Sequence, residues 1–280
     1  MFECSWSPTP DPSYDPELLI DTWLAQSEAH EKAHAIERYA RYAPELGWRA
    51  ILAVLALPDA LQHLGPLTGA LEMLVSRYGD AFIDRIEHES SVSSAFKACL
   101  AEIHPSPTFP FPEHLWARLS AAAGTSLGPM KPHMARLYAE LPDLSQVATW
   151  DPHPMESDDV PVLSDSELSE HARAYLVYHQ GFWAWEELNR ILEDDGPDAA
   201  WPLILQLVEK GSDHAIGAVG AGILEDLLDK HGTVVIDRVE AQAASDERFR
   251  FCLSHVWQAG MPAHIWERVV AARRDEPQRG

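Results

Sequence analysis

The sequence is poor in positive charge. It has 21 Lys+Arg against 44 Asp+Glu, a formal net charge of −23. Proteins hold nucleic-acid backbones with basic stripes, so this balance argues against a nucleic-acid ligand. It argues equally against anionic membrane surfaces. Long apolar runs are also missing: no stretch of about 18 apolar residues occurs, so no membrane-spanning helix is expected. The N-terminal stretch MFECSWSPTPDPSYDPE has neither a basic n-region nor an apolar h-region, and no signal peptide is read there. Cysteine is scarce, with 3 residues and no C-x-x-C pair. That fits reduced thiols in a cytoplasmic protein rather than a disulfide framework.

Nucleophile and phosphate motifs are lacking as well. There is no G-x-S-x-G and no Walker-type GKS or GKT. The segment Gly217-Ala218-Val219-Gly220-Ala221-Gly222 reads as a helix opening, but no strand precedes it and Glu225 and Asp226 would repel a phosphate. Its small residues read better as a close helix-packing surface. Strand signals are weak throughout; the best β-like run is TVVID at 233–237.

What the chain does have is a repeat. Residues 71–100 and 224–253 align at a constant offset of 153, with 11 of 30 positions identical. Average composition predicts roughly two by chance. Trp48, Ile51, Leu52 and Leu55 fall on Trp201, Ile204, Leu205 and Val208, an apolar stripe at helical spacing in each copy. Glu72, Asp84, Arg85 and Glu87 fall on Glu225, Asp237, Arg238 and Glu240, and Phe96, Cys99 and Leu100 on Phe249, Cys252 and Leu253. The offset then slips to 150, placing Pro112, His114, Trp116 and Arg118 on Pro262, His264, Trp266 and Arg268. Upstream, Trp23 and Leu24 match Tyr175 and Leu176 more weakly.

Helical periodicity runs almost throughout. In the first copy it predicts helices near 16–28, 30–42, 46–57, 64–78, 80–90, 92–103 and 112–123. In the second it predicts 166–180, 182–194, 198–211, 214–231, 233–244, 246–258 and 262–273. Gly79 and Gly232 stand where a helix should stop, and Asp165 or Ser166 is expected to cap a new one. The chain therefore divides into a tail at 1–16, a first helical copy at 17–120, a linker with a short helix near 131–142 at 121–166, a second copy at 167–273 and a tail at 274–280. The fold class expected is all-α: a tandem duplication of a multi-helix unit with HEAT-like, α-solenoid stacking.

His30-Glu31-Lys32-Ala33-His34 spells H-E-x-x-H, the spacing with which a helix presents two histidines to zinc. Its flanks are charged and no third ligand stands at a suitable spacing. A solvated helix face is expected, with no metal and no cofactor. Cys99 and Cys252 lie on apolar faces, which suits inert thiols better than nucleophiles.

The polar positions of the second copy form the main candidate cluster: Glu225, Asp226, His231, Asp237, Arg238 and Glu240. Four of them recur in the first copy, which favours a duplicated structural network, with Glu225 and Asp237 pairing with Arg238 or a neighbouring helix. Asp226 and His231 become Met73 and Tyr78, so an acid/base or metal site built on Glu225, Asp226 and His231 would exist in one half only.

The second copy, with AWPLILQLVEK, GAGILEDLLDKHG, VIDRVEAQA, FRFCLSHVWQ and IWERV, resembles a bacterial family of uncharacterised function carrying a Gly-Ala-Gly-x-Leu-Glu-Asp-Leu-Leu-x-x-His-Gly signature. The resemblance implies a small helical domain and no particular activity. The first copy keeps Gly69, Leu71, Glu72 and Gly79 of that pattern.

Acidity is concentrated. Residues 151–200 hold 13 Asp+Glu against 2 Lys+Arg. One reading is a solvated linker with exposed helix faces. The other is a landing surface for a basic protein, with Asp194, Asp195 and Asp198 at its centre. The functional expectation is a non-enzymatic protein-binding module, of the immunity or inhibitor type, masking a basic toxin or nuclease. An enzyme using the Glu225, Asp226 and His231 cluster and a general scaffold are the competing classes.

Overall fold

The computed structural model describes residues 15–58, 60–104, 111, 113–127 and 160–273. Every regular element among them is helical. In chain order these are α1 (Pro16–Tyr42), α2 (Pro44–Leu55), α3 (Leu64–Val92), α4 (Ser94–Glu102), α5 (Trp116–Ala123), α6 (Asp165–Arg190), α7 (Pro197–Lys210), α8 (Asp213–Val219), α9 (Glu225–Ser245), α10 (Glu247–Ser254) and α11 (Ala263–Ala272). Short 3₁₀ turns precede α3 and α5. Two π-helical turns, Ile191–Asp195 and Gly220–Leu224, follow α6 and α8. The short helix expected near 131–142 lies outside the described residues.

The order of elements repeats. Helices α2, α4 and α5 of the first copy correspond to α7, α10 and α11 of the second, α3 corresponds to α8 and α9 with the π turn between them, and the matched positions are built alike. Ser93 caps α4 by accepting the Phe96 N–H at 3.1 Å, and Asp246 caps α10 by accepting the Phe249 N–H at 3.1 Å. A cap of this kind satisfies one of the free donors of a helix's first turn. Trp48 meets Phe96 at 5.4 Å and 61°, and Trp201 meets Phe249 at 5.6 Å and 60°. Cys99 and Cys252 are both fully buried.

The molecule forms two compact units. One takes residues 29–179, the other residues 180–280 together with the chain up to Glu28. Each unit thus includes part of a helix from the other copy. In the first-copy unit, the start of α6 is tied down by Lys32 to Glu170 at 3.0 Å and Arg49 to Asp165 at 2.9 Å. In the second-copy unit, the start of α1 is joined by Asp21 to Lys210 at 3.8 Å and by a Ser212–Glu28 hydrogen bond.

Four expected helix breaks are absent. Residues 16–28 and 30–42 form the single helix α1, whose middle is rich in Ala and Glu. Gly79 lies inside α3, Gly181 inside α6 and Gly232 inside α9. These glycines admit neighbours rather than end helices. A Cβ on Gly79 would sit 2.6 Å from Leu115 Cδ1, one on Gly232 2.9 Å from Ile265 Cγ2, and one on Gly181 2.7 Å from Gln26 Cβ. The run TVVID continues α9. The cap of α6 is Ser164, one residue before the expected pair. Ser164 accepts the Glu167 N–H, and Glu167 accepts the Ser164 N–H at 2.8 Å, a reciprocal capping box.

The glycine-rich run opens no helix either. Gly217 is inside α8, and Gly220–Leu224 winds as a π turn with Gly222 at φ −126° and ψ −105°. Any side chain on Gly220 would collide with the backbone carbonyl of Cys252, so α8 and the π turn lie directly against α10.

Candidate functional site

Three polar clasps occur twice, once per copy. In the first, a glutamate on the long helix holds the chain leaving the following helix. Glu72 accepts the His104 N–H at 2.7 Å, and Glu225 accepts the Trp257 N–H at 2.7 Å. In the second, an arginine on the long helix reaches back to the start of α2 or α7. Arg85 binds both oxygens of Glu45 at 2.8 Å, and Arg238 binds Asp198 at 2.5 Å. In the third, an arginine on the last helix closes on two carboxylates one turn apart. Arg118 takes Asp84 at 2.5 Å and Glu87 at 2.7 Å; Arg268 takes Asp237 at 2.6 Å and Glu240 at 2.7 Å. The arginine hydrogen bonds hold the Glu87 and Glu240 carboxyls below their usual range.

The expected Glu225–Arg238 pair is therefore two separate contacts: Glu225 goes to a backbone N–H and Arg238 to Asp198. No hydrogen bond or ion pair joins Glu225, Asp226 and His231 to one another. Among the described residues no group of three His, Cys, Asp or Glu side chains is placed to hold a metal.

Asp194, Asp195 and Asp198 are brought together where α6 passes through its π turn into α7. Gly196, at φ +86°, makes the bend that only a residue without Cβ adopts readily. The three side chains remain exposed, at 65 %, 51 % and 78 %. Their structural role is larger than exposure alone implies. Arg190 bridges Glu187, Asp194 and Asp195, Lys230 takes Glu193, and Arg238 takes Asp198. Five carboxylates share three cations, so the turn keeps a local excess of negative charge.

The H-E-x-x-H segment is not simply a solvated face. His30 is exposed, but His34 is half-buried, with its ring 4.4 Å from that of His30 and 5.0 Å from that of Tyr178. Burial, and then the neighbouring His30, push its pKa down. One turn on, burial pushes the Glu37 carboxyl up. The hydroxyl of fully buried Tyr175 has no hydrogen-bond partner, and burial together with the Glu37 and Cys99 charges raises its pKa. The indole N–H of Trp23, at the matching position, is likewise buried and unpartnered. Burial raises the thiols of Cys99 and Cys252 to about 12.

Two residues escaped the sequence reading. Arg268 was recognisable as the repeat of Arg118, but its carboxylate partners lie about thirty residues away on another helix. Trp257 is 73 % exposed, the most exposed tryptophan among the described residues. Its counterpart across the repeat is His104, and that departure from the pattern was the available signal.

Helices alone, a repeated order of elements and doubled clasps define an all-α protein made of two copies of one helical unit. The chain belongs to a family of unknown function, DUF6869, whose model matches residues 24–127 and again 172–276. No curated protein and no solved structure matches the chain. No helix among the described residues is long and apolar enough to cross a membrane.

Proposed function

We propose that this protein is a non-enzymatic binding module whose acidic surface engages a basic protein, as an immunity or inhibitor-type protein masks a basic toxin or nuclease. The observation that carries this reading is the turn from Glu193 to Asp198. Carboxylates at the C-terminal end of a helix oppose its dipole, by about 0.3–1 kcal/mol each. Glu193, Asp194 and Asp195 stand at such an end, where helix stability does not call for them. Arg190 and Lys230 hold them in place while leaving them more than half exposed. The result is a fixed, net-negative surface, suited to steering a cationic partner into register.

The doubled clasps support the same reading from the other side. Because they recur in both copies, folding of the unit accounts for them. The HEAT-like comparison belongs to this proposal too, since paired helices commonly present extended binding faces. The test is binding. A cationic client crosslinked to the protein in its native host, then purified, should associate rapidly at low salt and lose affinity when Asp194, Asp195 and Asp198 are changed together to Asn. A client that is acidic, or a protein that turns over a small molecule at its second-copy carboxylates, would contradict it.

A further inference from the structure

Resting on that reading, we propose that the Trp257 indole is the docking point for an arginine side chain of the basic partner. The first copy shows what the fold alone requires at this place. There, Glu72 holds the N–H of His104, with Ala98, Met73 and Ser76 at the neighbouring matched positions. The second copy keeps the clasp, Glu225 to the Trp257 N–H, and differs from the first at four matched positions. His104 becomes Trp257, Ala98 becomes Phe251, Met73 becomes Asp226 and Ser76 becomes Asp229. The substitutions add two aromatic rings and two carboxylates to a scaffold that folds without them.

Their placement fits one kind of ligand. Trp257 is 73 % exposed and Phe251 39 %. The Phe251 ring meets the His255 ring edge-on at 4.7 Å, and His255 packs over Gly217, where a Cβ would stand 3.2 Å from the imidazole. The loop after Trp257 returns against Asp229, whose Oδ1 would lie 2.7 Å from a Cβ on Gly260. An exposed indole held by its own backbone, with the exposed Asp229 carboxylate of the adjoining helix against the same loop, suits a guanidinium. The ring face attracts the cation and a carboxylate completes its hydrogen bonds. Tryptophan is also among the residues that most often dominate binding at interfaces. The charge of the chain, −23, selects the sign of the partner.

The test uses the full chain and a fluorescein-labelled nona-arginine peptide, followed by anisotropy at about 0.15 M salt, where the Debye length is about 8 Å and long-range attraction is screened. Trp257→Ala should weaken binding at least tenfold, and Trp257→Phe should restore part of the loss. Trp185→Ala, which removes another exposed tryptophan, should change nothing, and a nona-glutamate peptide should not bind. Because the indole is exposed, thermal melts of the Trp257 variants should match the parent. If the peptide binds Trp257→Ala as well as the parent but is lost on neutralising Asp194, Asp195 and Asp198, this inference falls and the acidic-surface reading stands. If the parent binds no cationic peptide at all, both fall. A parent dimer in sedimentation that Trp257→Ala converts to monomer would assign the patch to a second copy and overturn the proposal.

Discussion

The Glu225 carboxylate accepts the backbone N–H of Trp257 at 2.7 Å, and this contact repeats the bond between Glu72 and His104 at the same length. A charged acceptor on a main-chain donor fixes where the chain goes after α10. Replacing Glu225 with Ala should cost about 1 kcal/mol. That corresponds to roughly 2–4 °C in melting temperature for a unit of this size. Glu225→Gln, which keeps an acceptor, should recover part of it. Calorimetry on the purified variants checks this; an unchanged melting temperature would remove the structural role.

Glu72 makes the first-copy unit sensitive to pH. Burial pushes its carboxyl from 4.5 up to about 7, against the opposing effect of the His104 N–H. In the unfolded chain it ionises near 4.5, so between these values folding takes up a proton. Its contribution is full below about 4.5 and is lost as pH rises through about 7, to a total on the order of 3 kcal/mol. Denaturant titrations of the parent and Glu72→Gln at about pH 5 and 8 should show the Gln variant gaining on the parent as pH rises. A constant difference would contradict the burial argument.

Gly47 and Gly69 should respond oppositely to alanine. A Cβ on Gly47 would stand 2.5 Å from the Cα and N of Ala40, which are backbone and cannot swing aside. Gly47→Ala should therefore force α1 and α2 apart and destabilise by about 1–3 kcal/mol, despite alanine's higher helix propensity. Gly69 lies inside α3 with nothing within 4 Å of its Cβ position. Gly69→Ala should stabilise by up to about 1 kcal/mol. Denaturant midpoints of the two variants decide the matter.

Cys99 and Cys252 should be inert in the folded protein. Both are fully buried with pKa values of about 12. In a Cys4→Ser background, Ellman's reagent should find no thiol before unfolding and two afterwards. Rapid modification of either one under native conditions would show that its helix pair opens.

The duplication was legible because the two copies share identities at positions that turn out to be buried or clasped, such as Phe96 with Phe249 and Asp84 with Asp237. Helix ends were less legible. Gly79 and Gly232 carry the same local signal as a C-terminal cap, and only the nearby Leu115 and Ile265 show that they serve close approach instead. The clasps were visible as a set of polar residues but not as pairs. Arg238 is close to Glu225 in sequence, yet it reaches Asp198, 40 residues back, because α9 lies alongside the start of α7. The π turns and the surroundings of His34 left no pattern, since Tyr178 comes from a helix over a hundred residues away.

Steering of a basic protein by the acidic turn, as proposed, is tested most directly by the association rate of the purified client. The Debye length falls from about 30 Å at 0.01 M salt to about 10 Å at 0.1 M, so stopped-flow rates should drop steeply over that range. Changing Asp194, Asp195 and Asp198 together to Asn leaves a hydrogen-bond acceptor for Arg190 and Arg238. It should lower the association rate more than it raises the dissociation rate. An association rate indifferent to both salt and these three substitutions would contradict the account.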